Sequence, residues 1–202
     1  MAFSKGKRIE DETSQRIIDL AVHIGCVEGP DALTVTRICR ELNCDRRVIY
    51  NRFRDIDEIN LIVAGRCNDE LLRNAQNAMK EEAGYYENLI ALVQAEFTYI
   101  YEKNAFFQYY TALYQVEETG IHNEILQNLE AYIEKGKESG QVNEHVTPGQ
   151  AAECIWLMLT GISGMLASHV NYKYQEGYKT LMYGLEAICR SDMTEPVHKE
   201  IP

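Results

Sequence analysis

Between Arg37 and Arg54 the chain carries six arginines, Arg37, Arg40, Arg46, Arg47, Arg52 and Arg54, against two acids, Glu41 and Asp45, a local net charge of +4. The whole chain has 20 Lys and Arg against 31 Asp and Glu, a net −11. Guanidinium groups gathered in this way suit a polyanion, because neutralising phosphates supplies the sequence-independent part of DNA affinity. The acidic remainder, with ten Lys and Arg against twenty-two acids from residue 57 onward, would repel nucleic acid and so orient docking. Arg47 suits guanine and Asn51 suits adenine in the major groove. Thr34, Arg46 and Tyr50 offer donors for phosphate oxygens that fix the register. Arg52 and Arg54 close the island beside the backbone. Lys5, Lys7 and Arg8 form either a minor-groove arm or a disordered basic tail.

These side chains need rigid elements behind them, and the pattern around them is helical. Ile17, Leu20, Ala21 and Ile24 give one apolar face to a helix over about 12–27. Gly29-Pro30-Asp31 breaks it. Thr34 is a good N-cap for a short helix that turns Val35, Ile38 and Leu42 inward. Asn43-Cys44-Asp45 ends that helix, and Asn tolerates the left-handed conformation of a tight turn. A further helix from about Asp45 or Arg46 to Arg52 closes Ile49 and Phe53 onto Ile38 and Leu42. This places Arg46, Arg47, Val48, Tyr50 and Asn51 on its other sides. Two short helices joined by a three- or four-residue turn, the second armed with Arg and Asn, make a helix-turn-helix. Asp55 and Glu58 have the spacing of a capping box for the next helix. Longer helices follow at about 57–82, 86–103, 105–118, 121–139, 148–170 and 174–191. Gly140 is placed as a C-cap, and Thr147-Pro148 as a helix start.

A second chemistry lies between Phe97 and Tyr114, where eighteen residues hold eight of the nineteen aromatics. Apolar walls with a few phenol hydroxyls suit an amphipathic or aromatic small molecule, and equally suit a plain helical core. Phe97, Tyr101, Phe106, Tyr110 and Tyr114, with Trp156 from a later helix, are the candidate ligand contacts. Gly161, Gly164 and Ser168 put small residues on one face of an apolar helix, which permits close approach of another helix, from the same chain or a second copy. The uncharged stretch from Cys154 to Ser168 is shorter than the roughly 20 residues of a membrane span and reads as a buried helix. The six cysteines form no C-x-x-C pair and read as reduced, buried thiols. The five histidines are dispersed, and neither a metal motif nor a catalytic constellation is present in the sequence.

Residues 12–62 resemble the TetR family of transcriptional regulators. The match runs through Arg16-Ile17-Ile18, Ala21, Gly29, Leu33-Thr34-Val35, Ile38, Tyr50-Asn51-Arg52-Phe53 and Glu58-Ile59. Thr34, Tyr50 and Phe53 stand at the family's signature positions. Four residues depart from it: Asn43 replaces the turn glycine, and Arg47 a small residue. Gly25 replaces a bulky apolar residue, and Ile56 the lysine that grips phosphate. The resemblance implies a ligand cavity in the C-terminal helices and a dimer seam on helices 148–170 and 174–191.

The expectation is an all-α chain: an N-terminal three-helix helix-turn-helix domain over 1–56, a larger helical ligand-binding and dimerisation domain over 57–192, and a tail over 193–202. Its expected function is a ligand-responsive regulator without cofactor, most simply a cytoplasmic repressor. It binds a palindromic double-stranded DNA operator as a homodimer and is released by a small-molecule effector, with no membrane partner. The DNA contacts are Thr34, Arg37, Arg46, Arg47, Val48, Tyr50, Asn51, Arg52 and Arg54. The alternatives are a helical enzyme or small-molecule carrier whose N-terminal helices are only structural, and a DNA-binding protein with a solid, ligand-free core.

Overall fold

The computed structural model describes residues 9–114, 121–168 and 171–189. The expected basic arm at Lys5, Lys7 and Arg8 and the tail from 193 lie outside them, as does the side chain of Tyr114. Among the described residues the fold is all-helical: α1 (Glu12–Glu28), α2 (Val35–Leu42), α3 (Arg46–Tyr50), α4 (Ile56–Ala78), α5 (Tyr85–Glu102), α6 (Asn104–Tyr114), α7 (Ile121–Glu138), α8 (Pro148–Ser168) and α9 (Tyr174–Cys189).

Capping residues set the helix starts. Asp11 caps α1 by accepting from the Ser14 N–H, and Ser14 answers in a capping box. Asp55 accepts from the Glu58 N–H at 2.8 Å, but the Glu58 carboxylate reaches one residue further back than expected, to the Arg54 N–H. Pro148 opens α8, and Gly140 has φ +72°, the left-handed conformation of a C-cap. α3 is shorter than its apolar pattern suggested. It stops at Tyr50, and the chain leaves in a turn in which the Phe53 N–H still bonds the Ile49 carbonyl at 2.8 Å.

The chain forms two compact units. The first takes the chain as far as Glu70, together with the stretch from Ala105, so α6 packs with the N-terminal helices. Its core holds Ile17, Ala21, Ile24, Ile38, Ile49, Phe53, Ile59, Val63, Phe107, Tyr109 and Tyr110, all buried. The second takes Leu71–Asn104 and the chain from His122 on. There α5, α8 and α9 pack on one another around Val93, Phe97, Ile100, Ile155, Leu159, Leu181 and Leu185.

Two packing details involve glycines. α8 and α9 come close through glycines of α9: a Cβ at Gly184 would stand 2.3 Å from Met158 Sδ, and one at Gly177 2.8 Å from Ile162 Cγ2. Gly161 and Gly164 of α8 face open space instead. The second detail is at Gly25. A Cβ there would lie 2.1 Å from the ring of Tyr109, whose hydroxyl donates to Asn60 Oδ1 at 3.0 Å. The bulk missing from α1 is supplied by an aromatic ring from α6.

Candidate nucleic-acid interface and effector cavity

The turn between α2 and α3 is built from residues that cap. Thr34 is extended and its hydroxyl accepts from the Arg37 N–H at 3.1 Å, which starts α2. Asn43 takes φ 49°, ψ 51°, the left-handed turn position where the family has glycine. The Cys44 N–H bonds the Cys39 carbonyl at 3.0 Å and closes the turn. Ile38, Ile49 and Phe53 are buried beneath, so α3 is held by its apolar side with Arg46, Arg47, Tyr50 and Asn51 exposed and Val48 half-buried.

The six arginines then separate by partner. Arg37 bonds Glu28 at 2.8 Å and Glu41 at 2.9 Å, and Arg40 bonds Glu41 at 3.2 Å. Arg54 bonds its neighbour Asp55 at 2.6 Å but stays 74% exposed, so water competes strongly for that pair. Arg52 is only 14% exposed. Its Nε donates to Asp11 Oδ1 at 2.9 Å and its Nη1 to the Val48 carbonyl at 3.0 Å. The Arg52 hydrogen bond, followed by the Ser14 N–H, holds the Asp11 carboxyl well below the usual carboxylate range. Arg52 therefore ties the end of α3 to the cap of α1. Among the described residues only Arg46 and Arg47 of the six lack a carboxylate partner. Arg46 is steadied by a bond to the Thr36 hydroxyl at 2.8 Å.

The candidate ligand residues divide between the two units. In the second unit Phe97 is buried, its ring 4.9 Å from that of Tyr174. Tyr101 meets Tyr174 edge-on at 5.1 Å and is 46% exposed, and Trp156 is buried. Phe106 and Tyr110 are buried in the first unit, Tyr110 beside Phe107 with centroids 5.8 Å apart. A cavity of about 220 Å³ lies elsewhere in the second unit, between the last turns of α4, the middle of α5 and α7. Leu72, Ala75, Leu92, Ile125 and Leu129 form its apolar wall. Gln76, Asn128, Tyr132 and Lys135 are its polar lining, together with Glu96. Tyr132 is held in place by Tyr85: the rings stack at 4.8 Å and each hydroxyl donates to the other's backbone carbonyl. Glu96 is 4% exposed, and burial pushes its carboxyl up to about 8. The sequence signal for Glu96 is its register: Leu89, Leu92, Val93 and Ile100 put it on the apolar face of α5.

Gly161 and Ser168 are exposed and Gly164 half-buried, on a stripe of α8 with Leu157 (59% exposed) and Met165 (40%). The Ser168 hydroxyl is turned back to the Gly164 carbonyl at 2.7 Å.

Neither a family model nor a curated relative matches the sequence. Solved structures do. A regulatory protein in the TetR family from Rhodococcus RHA1 superposes with TM-score 0.71 at 15% identity, over 91% of this chain and 100% of that one. SmeT, the repressor of the Stenotrophomonas maltophilia multidrug efflux pump SmeDEF, gives 0.70 at 15% identity over 95% and 98%. The SmeT–triclosan complex gives 0.68 at 14% identity over 95% and 100%. The chain therefore has the fold of the TetR-family transcriptional regulators.

Proposed function

We propose that this chain is a ligand-responsive transcriptional regulator, a repressor that acts in the cytoplasm and binds a palindromic operator as a homodimer. One observation carries the reading: α3 is the second helix of a helix-turn-helix, and its first two residues are the arginines without carboxylate partners. In this reading Arg47 and Asn51 meet base edges, while Arg46, Tyr50 and Thr34 meet phosphates. Arg54, exposed and weakly held, takes the phosphate role of the lysine missing at Ile56. Arg52 positions α3 rather than touching DNA.

The exposed stripe of α8, Leu157, Gly161, Met165 and Ser168, supports a seam between two copies, because Gly161 has no neighbour of its own chain to accommodate. Leu157→Asp should convert the dimer to monomers in sedimentation analysis. An unchanged sedimentation coefficient would place the seam elsewhere.

Footprinting on selected duplexes should reveal a two-fold symmetric site, with half-sites one helical turn or a small multiple apart. The binding constant should fall steeply with salt. Arg47→Ala should cost about 1–3 kcal/mol and relax base preference at one position of each half-site. Arg46→Ala should weaken all sequences alike and reduce the salt slope by about one. Salt-insensitive binding, or protection without symmetry, rules the regulator reading out.

A further inference from the structure

The Glu96 carboxyl sits at a cavity with nothing to bond. Its Oε2 is fully buried without a hydrogen-bond partner. Lys135, the charged group that the facing helix contributes to the lining, is exposed and forms no ion pair with it. The other polar group on that wall with a hydroxyl, Tyr132, already donates to the Tyr85 carbonyl. From α4 the cavity receives Gln76 and no charge. A buried carboxyl without a donor is expensive to keep, since desolvation is not offset by any bond. Asn128 is the remaining polar group of the lining, and Leu72, Ala75, Met79, Leu92, Ile125, Leu129 and Ala131 make the rest apolar. Such a site is matched by a molecule that brings one strong donor on an apolar body.

We propose that the cavity binds a small organic amine, its ammonium group donating to Glu96 and its hydrocarbon part lying against Leu72, Leu92, Ile125 and Leu129. This inference rests on the effector reading above and gives that effector a chemical class. A charge-assisted bond in a low-dielectric pocket is about twice as strong as a neutral one, which favours an amine over an alcohol of the same shape. A carboxylate would put a second anion beside Glu96 and is disfavoured. Size fits a ring with a short arm: a dry cavity of about 150 Å³ takes one benzene, and this one is about 220 Å³. The chain's net charge of −11 concentrates cations around it.

Proton balance follows from the burial. Burial keeps the carboxyl chiefly protonated at neutral pH. Entry of the ammonium ion leaves carboxylate and ammonium paired and passes the carboxyl proton to solvent. Binding should therefore release close to one proton per ligand at pH 7.

The test is calorimetric titration of the full chain with 2-phenylethylamine, 2-phenylethanol and 3-phenylpropionate, in phosphate and in Tris. The amine should bind about tenfold or more tightly than the alcohol. Its apparent enthalpy should differ between the two buffers by the proton released. Glu96→Gln should reduce amine affinity about tenfold, abolish the buffer dependence and leave the alcohol within about threefold. Equal affinities for the three probes, no saturable amine binding, or amine binding indifferent to Glu96→Gln would overturn the proposal. Duplex affinity with and without amine separates the two claims. Amine that binds without altering DNA affinity upholds the site and removes its effector role. Propionate that binds and alters DNA affinity removes the amine class and keeps the regulator.

Discussion

Glu96→Gln should remove a pH dependence of several kcal/mol from the stability of this protein. Glu96 has an ordinary carboxyl value of 4.5 in the unfolded chain, and burial raises it to about 8 in the fold. Between those values the native state binds the proton and the unfolded state does not. Stability is therefore fully present below about pH 4.5, declines as pH rises, and levels off above about pH 8. The decline amounts to about 4–5 kcal/mol at most, because each tenfold change in proton affinity is worth about 1.4 kcal/mol. Glutamine keeps the shape and stays neutral. The variant should be within about 1 kcal/mol of the parent at pH 5 and several kcal/mol more stable at pH 9. Denaturant unfolding at fixed protein concentration, from pH 5 to 9, measures both curves. Parallel curves would mean that Glu96 is solvated or paired in solution.

The direction of this effect is opposite to that of Asp11. There the folded state favours the charged form through Arg52 and the Ser14 N–H, so the contribution is present at neutral pH and is lost in acid. Two carboxyls of one chain thus pull stability in opposite directions across the pH scale. Only the buried one acts in the neutral range.

Local rules made much of this structure legible. Helix positions follow from apolar spacing, caps and breakers: Asp11, Thr34, Asp55 and Pro148 start helices where their chemistry says they should, and Asn43 and Gly140 turn the chain left-handed. These rules act over three or four residues, so the sequence displays them directly. Partners across the fold are not displayed. Nothing in the order of residues links Arg52 to Asp11, 41 positions away. The sequence places the arginines of the island along two helices, but only the fold shows Arg37 and Arg52 bonded to carboxylates of other elements and Arg46 and Arg47 without one. The aromatic cluster divides for a related reason. Phe97 and Tyr110 are close in sequence, but one belongs to α5 and the other to α6, which pack in different units. The cavity draws on α4, α5 and α7, and its buried carboxyl, Glu96, shows in the sequence only as a charge on the apolar face of a helix.

The departure at Gly25 supplies the second large effect, because two rules make opposite forecasts for it. Glycine inside a helix costs about 0.5–1 kcal/mol relative to alanine, through backbone entropy. On that rule Gly25→Ala stabilises. The packing rule says otherwise: the new Cβ would stand 2.1 Å from the Tyr109 ring, which is itself buried and bonded to Asn60. The ring cannot retreat without giving up that bond and displacing its neighbours, so overpacking of about 1–3 kcal/mol or more should win. Gly65→Ala is the internal control. It lies in α4, and its Cβ would meet open space, so the propensity gain of about 0.5–1 kcal/mol should appear undiminished. Tyr109→Leu removes the obstructing ring and should make Gly25→Ala neutral or favourable, a coupling of about 1–3 kcal/mol in the double-mutant cycle. Additive effects in that cycle would separate Gly25 from Tyr109. Coupling of the predicted sign would identify the glycine in α1 as the seat of an α6 ring.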